Sequence, residues 1–134
     1  MKAHHIVPVL FAVLTPGLSH AEWEKIGSNG NEFAIFVDAD LAKRNGSVVN
    51  LPQLVTYGEP QSPGASGKQF RSEKSLVDYD CASKRARVVA SERFAGERAT
   101  GNAIYRESNP QAAWTPIPMQ TNMEVAWRLA CGTR

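Results

Sequence analysis

The stretch Thr121-Asn122-Met123-Glu124-Val125-Ala126-Trp127-Arg128-Leu129-Ala130-Cys131-Gly132 decides the fold, because it is the one convincing helix in the chain. Thr121 and Glu124 have the Thr-x-x-Glu spacing of a capping box, so the spacing predicts a helix starting near Asn122. Met123, Ala126, Trp127, Ala130 and Cys131 recur at offsets 0, 3, 4, 7 and 8, which makes one continuous apolar stripe. Such a stripe of Met and Trp reads as a core face before it reads as a cofactor box. Gly132 is placed to end the helix in a left-handed conformation. Cys131 therefore sits on the buried side, at the end of the helix.

Upstream of the helix, the chain reads as β-structure. Residues 31–38 are rich in Phe, Ile and Val and follow a Ser28-Asn29-Gly30 turn, with Trp23 and Ile26 before it. A second turn, Arg44-Asn45-Gly46, leads into residues 48–57. Pro52 interrupts that run and predicts an edge strand or a bulge, because proline cannot donate to a ladder. Residues 58–67, rich in Pro, Gly and Ser, read as a long hairpin loop. Residues 69–81 and 85–94 are joined by Ala82-Ser83-Lys84, a short hairpin connection. Residues 102–106 read as a last short strand. The expected fold is α+β, a single antiparallel sheet of about five to six strands with a C-terminal helix packed on one face.

Cys81 and Cys131 are the only cysteines. Two thiols cannot supply the four ligands of a closed zinc site, and they lack the spacing of a C-x-x-C redox pair. In an oxidising compartment they are expected to form a disulfide that ties the helix to the sheet. Closing a loop of this length would stabilise the fold by roughly 4 kcal/mol in the chain-entropy account.

Residues 1–21 supply that compartment. Lys2 is followed by an apolar run from Ile6 to Leu14, then by small residues ending in Ser19-His20-Ala21. A charged start, a short apolar middle and a small-x-small end read as a cleaved export signal. The apolar run is shorter than the roughly 20 residues a membrane span needs. No cysteine stands at the cut, so the expectation is an exported protein of the periplasm, the cell surface or the medium, not a lipoprotein. The remaining residues, 22–134, fit one domain. All three histidines, His4, His5 and His20, precede the cut. Without imidazole the domain has no neutral-pH proton shuttle, which excludes Ser-His-Asp and Cys-His catalysis. Losing Lys2 from 15 basic residues leaves 14 against 13 acidic, a net charge of +1. That balance gives no general pull toward nucleic acid or an anionic membrane.

Trp23 with Ile26-Gly27, Phe36-Val37-Asp38 with Gly46, Ser72-Glu73-Lys74, Asp78-Tyr79-Asp80-Cys81, Lys84-Arg85-Ala86-Arg87-Val88, Trp114-Thr115-Pro116-Ile117-Pro118 and Cys131 form a series of short runs. Together they resemble the surface-adhesin protein E family of bacterial envelope proteins. They span nearly all of residues 22–134 in order. The resemblance implies a small antiparallel sheet with a disulfide-tethered C-terminal helix. It also implies a non-catalytic binding role toward host matrix or envelope proteins, with haem binding attributed to the type member. Two features depart from the family pattern: no lipid-anchor cysteine at the cleavage site, and Pro52 where a tryptophan is expected. The alternative to adhesion is a periplasmic accessory or structural domain of the same fold.

The residues offer few other chemical groupings. Asp78 and Asp80 are two apart, as are Asp38 and Asp40, so each pair would share a strand face. They read as a calcium site or an acid/base dyad of a small hydrolase, or, more blandly, as strand-end acids in turns. A hydrolase would need a deep cleft around Asp78 and Asp80. Arg85, Arg87 and Arg93, with Lys84 adjacent, read as a basic strand face for a sulfated glycan or acidic partner. The competing reading is a solvated face paired across strands with Glu73 or Glu92. No aromatics are interleaved with these arginines, and Gly64-Ala65-Ser66-Gly67-Lys68 lacks P-loop spacing. Without histidine, a haem would need Met119, Met123, Tyr57, Tyr79 or Tyr105 as its axial ligand, and all five have ordinary core uses.

Overall fold

The computed structural model describes residues 22–63 and 67–132, so the expected export signal lies outside the described residues. The strands are β1 (Glu24–Asn29), β2 (Phe33–Val37), β3 (Lys43–Asn45), β4 (Val48–Gln61), β5 (Phe70–Asp80), β6 (Arg85–Phe94), β7 (Ala103–Ser108) and β8 (Thr115–Pro116), and one helix, α1 (Asn122–Gly132), follows. All strands join one antiparallel sheet. Six of them run in the order β1-β2-β4-β5-β6-β7, with β3 added to β4 and β8 to β6. The expected fold class stands, with eight strands in place of five to six. The extra ones are short: β1 lies around Ile26, β3 overlaps the predicted Arg44-Asn45-Gly46 turn, and β8 lies in the Trp114–Pro118 run.

Pro52 is not on an edge strand. β4 is interior, held by β5 on one side and by β2 and β3 in succession on the other. β2 reaches Gln53 and β3 reaches Asn50, so Pro52 falls in the gap between them. Its carbonyl accepts from Asp38 N at 3.1 Å, and its nitrogen points the same way, where no ladder donor is required. The register shifts lie elsewhere: between Thr56 and Gln61 in the β4–β5 ladder, at Val89 in β6, at Ile26 in β1 and at Ile104 in β7. The predicted 58–67 loop begins later than expected, because β4 continues to Gln61.

Strand alternation builds the core. Val37, Val49, Leu51, Val77, Tyr79 and Ala86 point to one face, and Ala126 and Ala130 of α1 pack onto them with Ile117. Full burial of a Leu or Val contributes about 1.5–3 kcal/mol. The small alanines let the helix lie close, and Met123, Trp127 and Cys81 close its flanks. Gly27 of β1 lies against Asn122 at the start of α1, where a Cβ would collide with the Asn122 side chain. Gly132 is the last residue of α1 and not a left-handed stop beyond it. A smaller buried group, Phe36, Leu54 and Ser72, lies on the sheet face away from α1. Residues 95–102 strap across it: Ser72 Oγ donates to Gly96 O at 2.6 Å and accepts from Ala99 N at 2.8 Å. The Arg98 guanidinium lies 4.9 Å from the Phe36 ring centroid.

Candidate binding surface

The disulfide forms as expected. Cys81, just past β5, bonds Cys131 near the end of α1, with a Cα–Cα distance of 5.6 Å. Thr121 Oγ1 accepts from Glu124 N at 3.3 Å, half of the predicted capping box. The other half is diverted. The Glu124 carboxylate is buried and binds Lys84 Nζ and, at 3.1 Å, Arg128. The Lys84 hydrogen bond holds its carboxyl below the ordinary carboxylate range, against the upward push of burial. Trp127 Nε1 donates to Asp80 O at 3.1 Å, and the Lys84 ammonium lies 5.3 Å from its ring. Lys84 is thus part of the helix clamp, not of an open basic face.

The basic stripe is split. Arg87 and Arg85 lie opposite Asp78 and Asp80 on the sheet face away from α1. The Val89 bulge inserts one residue into β6, so Arg93 emerges on the opposite face, beside Glu73. Arg93 Nε donates to Glu73 at 2.7 Å, the cross-strand pairing expected of a solvated face. Aromatics do meet these arginines, brought by strands distant in sequence. The Trp114 ring lies 4.4 Å from the Arg87 guanidinium and 5.9 Å from that of Arg85. Phe70 and Tyr105 flank Arg93 at 4.7 and 5.0 Å.

The acidic pairs have structural partners. Asp38 is buried and accepts from Asp40 N at 3.1 Å, capping the short 3₁₀ turn Ala39–Leu41. Asp80 Oδ1 accepts from the amides of Ala82 and Ser83, at 3.0 and 3.3 Å, to close the hairpin. A hydrogen bond from the Ser83 side chain, then these amides, lowers its carboxyl from the usual value. Asp78 accepts from Asn50 Nδ2 at 2.8 Å and from Arg87 Nε at 3.1 Å. Each of its two oxygens thus has a partner within the sheet. Among the described residues, no group of three or more His, Cys, Asp or Glu could hold a metal.

The candidate haem ligands do not converge. Tyr79 is fully buried under α1 and hydrogen-bonds Gln53; burial pushes its hydroxyl pKa up, well clear of ionisation at neutral pH. Tyr57 packs edge-on against Phe70, with ring centroids 5.9 Å apart. Met123 packs on the core, whereas Met119 is 76% and Tyr105 45% exposed. These residues do not fit a haem site.

Two neighbouring features mark the face turned away from α1. Along β5, β6 and β7 a shallow groove of about 410 Å³ has Leu76 and Ala90 as its floor and Lys74, Glu92 and Arg106 as its rim. Glu92 and Arg106 pair across the strands. Toward β3, Lys43, Asn50, Asp78, Arg87 and Trp114 form a polar row beside a second cavity of about 410 Å³. Lys43, Asn50 and the Trp114 stack were not identified from sequence. Only register joins them, although Trp114 was already present in the Trp-x-Pro-Ile run.

The fold has solved counterparts. A crystal form II structure of Haemophilus influenzae protein E superposes with a TM-score of 0.61 at 14% identity, covering 87% of this chain and 91% of that one. A structure of protein E from non-typeable Haemophilus influenzae gives 0.58 at 14% identity, covering 87% and 79%. No curated protein matches the sequence. The family model described as Surface-adhesin protein E matches residues 23–132, nearly the whole described chain, and the protein belongs to that family.

Proposed function

We propose that this chain is an exported, non-catalytic binding domain that engages extracellular or envelope proteins through the sheet face opposite α1. One observation carries the reading: the groove over β5–β7 has an apolar floor, Leu76 and Ala90, inside a charged rim of Lys74, Glu92 and Arg106. Apolar centre and polar rim is the anatomy of a protein interface. Leu76 is 37% exposed there. The rest of the molecule supports a platform role. α1 is clamped by Cys81–Cys131 and by Lys84–Glu124, so the sheet presents its free face rigidly. The acids that could have served catalysis are used in turns and ion pairs.

The reading is tested by capture of matrix and envelope proteins on the immobilised domain, with Leu76→Glu as the control. We expect the variant to lose at least about tenfold in affinity, or about 1.4 kcal/mol, with its melting temperature unchanged. Equal capture by both proteins would remove the groove from the interface. A second reading, a periplasmic accessory domain without adhesion, is favoured by the clamping of the helix onto the sheet by Cys81–Cys131, a purely structural use of both cysteines. Protease treatment of intact cells separates the two. A surface protein is cleaved, whereas a periplasmic one is protected and released by osmotic shock.

A further inference from the structure

We propose that the row Lys43–Asn50–Asp78–Arg87–Trp114 binds an acidic polysaccharide, with a sugar ring packed on Trp114 and its carboxylate or sulfate groups met by the cations along the row. The row is built by register. Lys43 lies opposite Asn50 across β3–β4, Asn50 opposite Asp78 across β4–β5, and Asp78 opposite Arg87 across β5–β6. Thr115 of β8 lies opposite Ala86, which sets the preceding Trp114 over Arg87. Five strands at about 4.8 Å spacing give a row roughly 20 Å long, the reach of a short oligosaccharide.

The side-chain chemistry suits a sugar acid. Asn50 and Arg87 are planar donors, and their hydrogen bonds to Asp78 fix their orientation. Only Nε of Arg87 is used in that pair, so its terminal nitrogens keep donors for a ligand. Arg87 offsets the charge of Asp78, and Arg85 that of Asp80 at 3.8 Å. Lys43, which borders the same cavity, then makes the local balance positive. A half-buried indole beside guanidinium groups offers a sugar ring an apolar platform next to its charge partners. An acidic peptide would use the cations but not this platform. Single-stranded nucleic acid would need several stacking rings and a stronger field than one Trp and a domain net charge of +1 (14 basic against 13 acidic residues in 22–134) provide.

The Asp78–Arg87–Trp114 contacts also hold β8 on β6, so variants of Arg87 or Trp114 confound binding with folding. Lys43 is exposed and makes no ion pair among the described residues, which makes it the diagnostic position. The experiment is calorimetric titration of the domain with a heparin octasaccharide, a hyaluronan octasaccharide, maltoheptaose and polyglutamate. Heparin should bind, and its affinity should fall at least about tenfold between about 50 and 200 mM salt, as release of counterions by two to three cations requires. Lys43→Glu and Arg85→Glu should each weaken binding roughly fivefold or more at the lower salt, with melting temperature unchanged for Lys43→Glu. Heparin binding more tightly than hyaluronan would assign the contacts to sulfates, and equal binding would assign them to uronate carboxylates. Either result supports the site. Absence of binding, equal binding of maltoheptaose or polyglutamate, or indifference to both substitutions would overturn it. Leu76→Glu should leave oligosaccharide binding unchanged, so this inference and the protein-partner reading fail separately.

Discussion

Val49 and Asn50, Val77 and Asp78, and Ala86 and Arg87 are consecutive in the chain, and each step crosses the sheet. The first member of each pair is at most 3% exposed and lies under α1. The second stands on the open face, in a polar row on the same three strands. The two faces share one backbone and one register, so whatever shifts the register moves core and row together. Burial specifies the helix side, where each side chain must fill a fixed space. Outside the patch of Phe36, Leu54 and Ser72 that residues 95–102 cover, the open side is specified by its polar partners, so its chemistry is free to serve a ligand.

The most damaging way to break this asymmetry is to release the helix. Replacing Cys81 and Cys131 together by alanine opens a loop closed over a separation of 50 residues. It should cost about 4 kcal/mol, read as a lower denaturation midpoint with a steeper slope, because the unfolded chain without the cross-link exposes more surface. Amide exchange should accelerate first in α1 and β1. Uniform acceleration across the sheet would mean that the helix does not open alone. Next in size is Leu51→Ala, which should cost about 3 kcal/mol through lost burial and an unfilled cavity. Its neighbour on the open face, Asn50→Ala, loses one hydrogen bond to Asp78 and should cost about 1 kcal/mol. Equal costs at the two positions would abolish the distinction between the faces.

How much of this asymmetry is legible before folding differs between the two sides. The helix side is written in local signals: the Thr121–Glu124 capping spacing, the stripe from Met123 to Cys131, and two cysteines with no other partner. The fold class and the disulfide follow from these. The open side depends on pairings between residues far apart in the chain, which no local pattern reports. The Val89 bulge has no residue signature, and it alone puts Arg93 on the other face from Arg87. Trp114 meets Arg87 only because β8 docks beside β6, and a two-residue strand carries no periodicity. Pro52 misleads for a related reason, since its acceptable place is a gap between β2 and β3 that exists only once both are paired. Glu124 is half legible: the capping spacing gives its position, but the turn to Lys84 needs the hairpin beneath.

A smaller effect tests how far the helix side depends on polar satisfaction. Tyr79 is fully buried, and its hydroxyl binds the Gln53 side chain. Tyr79→Phe keeps the packing and strands the Gln53 carbonyl, so it should cost about 1–2 kcal/mol. The unfolding midpoint at neutral pH reads it. An unchanged midpoint would mean that Gln53 turns out to solvent.

The smallest expected effect is on acid stability, and it separates one carboxylate of each side. Glu124 beneath the helix has its pKa lowered from 4.5, chiefly by the hydrogen bond from Lys84. Asp80, at the hairpin on the open face, has its pKa lowered from 3.8, chiefly by a hydrogen bond from Ser83. A carboxyl held below its unfolded value favours the folded state above that value and loses its contribution as pH falls through the folded pKa. The melting temperature should therefore hold from neutral pH down to the unfolded values and then fall. Glu124→Gln should melt lower at pH 7 and show a shallower acid decline than the parent. Asp80→Asn should do the same over a slightly lower window, because its unfolded value is lower. The larger change should belong to Glu124, whose carboxylate binds both Lys84 and Arg128 and holds the helix on the sheet. Acid curves of both variants running parallel to the parent would show that neither carboxylate is linked to folding. A larger change at Asp80 would place the acid-sensitive clamp in the hairpin and not beneath the helix.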